Sequence, residues 1–460
     1  MTLHSSEDAS LKRSILIVAA FAAFLPAFMV SSVVLALPTI GEHYGADAIE
    51  LGWFLNAFSL STGVVLLISG RVGDMVGRKR IFSLGMLFFT LSSFLIVFSP
   101  NITVFIIMRI IQGITNAMVV STMMAIVTVV FEPGERGRAV GINLTSTYMG
   151  ISLGPVIGGV LVQNLGWQSV FLSMVPLQIL CLVLIKLKMK SEWADSSGDK
   201  FDYKGSVIYG ITLFGLMYGF TVLPSLLGWL CMAGGILFGV LFVFVELKVT
   251  NPVFEVRLFA NNRMFTFSSL TSIVIYSSIG AIGFFSSLYL QYLKDLDATT
   301  TGLIMVTQPL ATALLSTLSG KLSDRINPGV LASIGMGIVS IGLGLFWFID
   351  AATPIIFPIL FLAVIGLGFG MFSSPNTNAI MSSVERRYLG LASGSLGTMR
   401  TIGQMISMGI AMMLFSFYIG REVITPQVYG ALMLSIRTGF LVYALICGLG
   451  IFVSLARNKR

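Results

Sequence analysis

The chain has 460 residues, of which 56% are hydrophobic and only 10% charged, against roughly 25% charged in a soluble domain. With a mean hydropathy of +0.93, it has too few charges to cover a water-exposed surface, which excludes a soluble domain, a disordered segment and a disulfide scaffold. The formal charge of +8, from 28 Lys+Arg against 20 Asp+Glu, then concerns where cations sit relative to lipid; it is not a nucleic-acid footprint.

A hydrocarbon core of roughly 30 Å needs about 20 apolar residues per helix. Fourteen stretches qualify, which predicts an all-α integral membrane protein. They lie at 14–37, 51–70, 81–99, 102–129, 139–162, 168–187, 205–223, 226–247, 265–292, 302–320, 329–349, 354–375, 388–418 and 435–456. Lys12 and Arg13 before the first stretch imitate a signal peptide, but the apolar run is too long for one and reads as a retained helix. With the N-terminus placed in the cytoplasm, 23 of the 28 basic residues fall in inside segments. Outside segments hold Lys294, Arg421 and Arg437, while Arg109 and Arg400 lie within spans. That asymmetry predicts an even span count and cytoplasmic termini.

Cys181, Cys231 and Cys447 all lie in apolar runs and read as buried small hydrophobes. The only histidines, His4 and His43, join no cluster of cysteines or acids. Neither a metal nor a cofactor is expected.

The chain also repeats at an offset of 250 residues: Gly52 with Gly302, Gly70 with Gly320, Asp74 with Asp324, and Glu135-Arg136 with Glu385-Arg386. Eight spans precede the second copy, so both copies enter the membrane in the same direction. The expected architecture is two parallel, pseudo-symmetric six-helix bundles, 1–187 and 265–460, with a loop and two inserted helices at 188–264. Such parallel halves suit a rocking transporter.

Three constellations carry chemistry. After the second span, Gly70, Gly73, Asp74, Gly77, Arg78, Lys79 and Arg80 form a glycine-rich turn with a charge pair. Gly320, Asp324 and Arg325 form its counterpart, and the reading is a gating loop. In span 4, Arg109 precedes Gln112 and Gly113. A membrane-embedded arginine costs about 2.5–3.5 kcal/mol unless paired or hydrated, so it is expected to face inward. It either lines a cavity coupled to substrate or proton binding, or it bonds to backbone carbonyls and holds helices together. In span 5, Gly141, Gly150, Gly154, Pro155, Gly158 and Gly159 predict a bent helix that a neighbour approaches closely.

These residues resemble the major facilitator superfamily, and specifically its fourteen-span drug:proton antiporter branch (QacA/EmrB-like). The Gly70–Arg80 loop is similar to the superfamily's signature loop, Arg109/Gln112/Gly113 to its fourth-helix motif, and Gly141–Gly159 to the helix-5 antiporter motif. Leu35-Ala-Leu-Pro38 and Asn251-Pro252 with Arg257-Leu-Phe259 are also similar to the branch. The resemblance implies that Asp74 and Arg78 gate the cytoplasmic side. It implies also that Arg109 takes part in proton coupling and that Gly154-Pro155 shape a helix sealing the carrier against leak. Members of the branch commonly carry an acid in span 1, where this chain has Met29.

All twenty acidic residues lie in loops or at helix ends. Intramembrane carboxylates are the usual proton carriers and counter-ions for cationic drugs. Their absence, with Arg109 and Arg400 in spans, favours anionic, zwitterionic or neutral amphiphiles over quaternary cations. Against this, 35 Phe, 12 Tyr and 5 Trp offer ring faces to cations. Met29, Asn56, Asn116, Tyr148, Tyr276, Gln308, Asn376, Asn378 and Gln404 are candidate cavity residues, each with an alternative as an interhelical hydrogen bond.

The expected function is secondary active efflux of multiple drugs or amphiphiles by alternating access, with protons as the coupled ion and the protein working as a monomer in the plasma membrane. The alternative is an exporter of one endogenous metabolite. An enzyme would need an acid or histidine cluster that the sequence lacks, and no Walker loop supports ATP drive.

Overall fold

A computed structural model describes residues 2–189, 191–193, 201–249, 254–323, 325–385 and 389–457. Fourteen helices among these are long and apolar enough to cross a bilayer. Spans 1 to 7 are Leu11–Tyr44, Ala48–Val76, Arg78–Phe98, Ile102–Val130, Arg138–Leu165, Gln168–Lys188 and Tyr203–Val222. Spans 8 to 14 are Leu226–Glu246, Arg263–Leu293, Ala298–Leu322, Pro328–Phe348, Ile356–Ser382, Gly394–Tyr418 and Pro426–Ala456. The protein is therefore an all-α, multi-pass membrane protein.

Local chemistry explains the breaks between spans. Span 1 runs past Pro38 because a 3-10 turn at Val34–Ala36 delivers the proline to the start of a fresh helical segment, where its missing N–H costs nothing. That segment stops at Gly45, whose φ of +61° suits glycine. Asp47 then caps span 2 by accepting from the Glu50 amide at 2.7 Å, and Glu50 reciprocates. Gly77, at φ +125°, turns the chain between spans 2 and 3.

The repeat extends to element boundaries. Span 2 starts at Ala48 and span 10 at Ala298, while spans 3 and 11 keep the 250-residue offset at both ends. Each of the latter two closes in a 3-10 turn, Ile96–Phe98 and Phe346–Phe348. Asp297 caps span 10 through the Thr300 amide at 2.7 Å, as Asp47 caps span 2. Matched helix starts leave equivalent faces for packing. Span 1 lies along span 5 and span 9 along span 13; spans 2 and 3 pack on span 4, and spans 10 and 11 on span 12.

The two six-helix bundles meet through swapped equivalents, span 2 against span 13 and span 5 against span 10. Span 7 of the inserted pair packs against spans 2 and 13, and span 8 packs on span 7. Span 8 leaves Trp229, Leu230, Leu237 and Phe244 exposed, which suits a helix facing lipid.

One end of the bundle carries loop 71–80 and is rich in basic residues; the other carries residues 45–47, 99–101 and 294–297. At this far end the bundles are closed against one another. The Ala48 amide donates to the Glu422 carbonyl at 3.2 Å, beside an isolated bridge between Asp47 and Val423. Buried Ser287 donates to the Val34 carbonyl at 2.8 Å, and the Thr299 amide donates to Gln163 at 3.2 Å. Among the described residues, hydrogen bonds and close packing between the bundles run from this end to mid-membrane. There Leu66 lies against Gly397, and Tyr148 meets Ser373.

Candidate functional site

The 70–80 loop packs onto its own bundle. Arg78 Nε donates to Asp74 at 2.7 Å across the Gly77 turn between spans 2 and 3, so both ends of the expected charge pair are in place. A Cβ at Gly73 would press on Thr122 of span 4, which explains the small residue. The Arg78 amide donates to the Trp193 carbonyl at 2.8 Å and the Lys79 amide to the Glu192 carboxylate at 2.8 Å. A carboxylate thus sits at the N-terminus of span 3, where backbone amides favour it. Arg80 is exposed. In the second copy Gly320 abuts Ser374 and Arg325 is exposed; Asp324 and the Asn251-Pro252 motif lie outside the described residues.

Arg109 is sealed within the first bundle, with 1% of its surface exposed. Its Nε donates to the Phe54 carbonyl at 3.2 Å, and Nη1 donates to Gln112 Oε1 at 2.9 Å and lies 3.9 Å from Met29 Sδ. The rings of Phe54 and Phe58 flank the guanidinium at 5.0 and 4.6 Å, supplying quadrupole attraction in place of a counter-ion. Gln112 passes the network to Ser93, which also receives Gln178 of span 6. Gly113 sits directly on the Phe58 carbonyl, so spans 2 and 4 are fastened where Arg109 lies.

Span 5 uses its glycines on two faces. Gly150, Gly154 and Gly158, spaced by four, press on span 1, where Ser31 donates to the Gly150 carbonyl at 3.2 Å and Ser32 to the Gly154 carbonyl at 2.9 Å. Gly159 abuts the Ala298 carbonyl, and the Pro155 carbonyl receives Gly302, so this stretch of span 5 forms the far-end contact with span 10. Gly141, near the basic end, has open space around it.

At mid-membrane a second arginine has a different environment. Arg400 of span 13 is half-buried; Nη2 donates to Thr377 at 3.3 Å and the guanidinium lies 5.5 Å from the Tyr276 ring. Its Nε is buried without a hydrogen-bond partner. Ser373, one turn before Thr377 on span 12, faces Tyr276 and shares a 3.3 Å hydrogen bond with Tyr148 of span 5. Phe369 closes the group edge-on to Tyr276 at 5.6 Å. The cluster joins the two bundles, and it consists of one cation, hydroxyls and rings. Reversible polar contact with a small organic solute is the chemistry such a group can perform; it offers no nucleophile–base pair.

A sequence profile of the Major Facilitator Superfamily matches residues 19–408. The chain belongs to this superfamily. It is 26% identical over 445 residues to the riboflavin transporter RibZ of Clostridioides difficile, with 96% of each chain covered. It is 27% identical over 397 residues to the multidrug resistance protein Stp of Mycobacterium tuberculosis, covering 85% of this chain and 73% of that one. Among solved structures, a bacterial homologue of the human lysosomal transporter Spinster superposes with a TM-score of 0.71 at 14% identity, covering 98% and 97%.

Within this superfamily member the other expected cavity residues divide by location. Asn56 donates to Met412 Sδ at 3.8 Å and Asn116 to Thr62 at 3.4 Å, and both keep a buried carbonyl oxygen without a partner. Asn376 belongs instead to a structural knot. Its Oδ1 accepts from Arg457 at 2.8 Å, and Arg457 also reaches Ser268, Ser454 and the Gly329 carbonyl. Burial pushes the Arg457 guanidinium down to about 10, so it stays charged at neutral pH. Asn378 bonds Ser323 at 2.8 Å near the basic end, Gln404 is exposed, and the backbone of Gln308 abuts Gly366. Sequence reasoning missed Ser373, Thr377, Phe54, Phe58 and Arg457. A stripe spaced by four, Phe369-Ser373-Thr377, was the available signal for the first two.

Proposed function

We propose that this chain is a secondary active exporter of amphiphilic small molecules that works by alternating access. The observation that carries this reading is the far-end closure: the bundles are joined there and share a polar cluster at mid-membrane. The moving bodies are 1–187 and 265–460, hinged about the far-end contacts, with 188–264 as a passive insert. The basic end is cytoplasmic, following the distribution of Lys and Arg, so the conformation is inward-facing in a plasma-membrane monomer. Asp74 and Arg78 hold the loop that closes the cytoplasmic side in the opposite state.

Two substrate ranges fit. The Stp relative supports multidrug efflux, and the RibZ relative supports a specific metabolite as the cargo. A proton gradient is the energy source that the family resemblance implies, carried by a group other than residue 29, where a methionine stands. Membership of the superfamily over residues 19–408 supports a transporter rather than an enzyme.

The test is cysteine accessibility. With Cys181, Cys231 and Cys447 replaced by serine, Thr145→Cys, one turn from Tyr148 on the same face, is probed with a membrane-impermeant maleimide in vesicles of both orientations. Labelling from the basic side at rest, and from the far side once an imposed gradient drives turnover, is expected. Labelling from one side under every condition sinks alternating access.

A further inference from the structure

We propose that Arg400 is the charge-reading residue of the transport site, and that it takes the carboxylate, sulfonate or phosphate of an aromatic amphiphile whose ring lies beside Tyr276. The inference rests on the transporter reading above and names the substrate class for that site.

Arg109, Arg457 and Arg400 separate by how their donors are used. A guanidinium offers five N–H donors. Arg109 spends its donors on Phe54, Gln112 and Met29 and packs between two rings. Arg457 also has a buried Nε without a partner, but its two terminal nitrogens bond four acceptors from spans 9, 12 and 14 and the start of span 11. Among the described residues Arg400 makes one long hydrogen bond, to Thr377, and its buried Nε has none. An intramembrane cation without a partner is costly and marks a ligand or ion pathway. The unspent donors of Arg400 form a planar fork, the geometry that matches an oxyanion bidentately.

The surroundings select the rest of the solute. Tyr276 and Phe369 offer ring faces and edges beside the guanidinium. The acidic residues of this chain lie in loops or at helix ends, so a cationic solute finds no carboxylate at this depth. The Tyr148 hydroxyl, held by Ser373 across the bundle interface, is the donor that an anion on Arg400 would recruit from the opposite half. Occupancy then competes with the Tyr148–Ser373 hydrogen bond and links binding to the relation between the bundles.

The experiment uses the full chain in lipid nanodiscs and two xanthene dyes of like shape and opposite charge, carboxyfluorescein and rhodamine 6G, followed by fluorescence anisotropy. The expected result is tighter binding of carboxyfluorescein, weakened about tenfold or more by Arg400→Gln and only partly restored in Arg400→Lys, whose point charge lacks the planar fork, with rhodamine 6G changing less than about threefold. Thermal unfolding of each variant separates loss of the site from loss of the fold. Equal weakening of both dyes in a variant with an unchanged unfolding midpoint overturns the inference, as does wild-type binding of rhodamine 6G alone or of neither dye. Gradient-driven uptake into proteoliposomes is measured alongside. Dye binding without uptake sinks the transporter reading and leaves the anion site standing.

Discussion

The thioether of Met29 lies 3.9 Å from Nη1 of Arg109, a contact made within the first bundle. It occupies the place where the antiporter branch that the sequence resembles commonly carries an acid. The charge of Arg109 is therefore balanced by the Phe54 carbonyl, Gln112 and two aromatic rings. This arrangement stabilises spans 1, 2 and 4 as a unit. It also leaves position 29 without a proton to exchange.

Substituting Met29→Glu keeps side-chain length and supplies the missing counter-ion. A hydrogen bond to a charged group contributes about 1.5–3 kcal/mol, so the thermal unfolding midpoint at neutral pH is expected to rise. Met29→Leu, which removes only the sulfur, is expected to stay within about 1.5 kcal/mol of the parent. A fall in midpoint for the glutamate variant means that desolvating the carboxylate outweighs the pairing.

Far-end closure depends on residue 302 having no side chain, because a Cβ there would overlap the Pro155 carbonyl. Overpacking costs about 1–3 kcal/mol, enough to move a two-state equilibrium about tenfold. Gly302→Val is thus expected to separate spans 5 and 10. Spin labels on the loops at Asn101 and Asp350 report a longer distance, and vesicle uptake falls about tenfold. Gly430→Ala, placed in open space, serves as the control within about 0.5 kcal/mol. An unchanged label distance in Gly302→Val refutes the wedge.

The cap on span 10 predicts a pH dependence. Hydrogen bonds from Thr300 hold the Asp297 carboxyl below the usual carboxylate range. Its folded value is depressed, so its contribution is fully present above the unfolded value of about 3.9 and is lost as pH falls through the lower folded value. Asp297→Ala is expected to cost about 1 kcal/mol between pH 5 and 8, and this difference narrows as pH falls through the depressed folded value, where only the neutral acceptor remains. Asp297→Asn, which still accepts a hydrogen bond, retains most of the cap. A gap that persists undiminished in acid assigns the effect to something other than the carboxylate.

Much of the architecture was legible because the bilayer imposes it locally. A span needs apolar length, and the basic loops stand out against it, so the fourteen helices and the duplication could be read from residue order. The glycine stripe of span 5 was equally plain, since close approach demands an absent side chain wherever the partner lies. The extension of span 1 to Tyr44 was not legible, because Pro38 reads as a stop unless the preceding 3-10 turn is known. Asp47 and Asp297 share the 250-residue offset too, yet an acid in a loop carries no sign of capping until the helix start is placed.

By itself the sequence determined that this protein spans the membrane with two copies of one bundle, since hydropathy and repetition are properties of neighbours along the chain. The fates of Arg109 and Arg400 were decided only in three dimensions. Arg109 and Arg400 look alike in one dimension, each a cation in an apolar run. One meets Phe54, Phe58 and Met29 from other spans and is enclosed, while the other meets Thr377 and Tyr276 at the seam between bundles and keeps its donors. Whether a buried charge is scaffold or binding site depends on which distant side chains fill its shell, and tertiary packing alone brings those together.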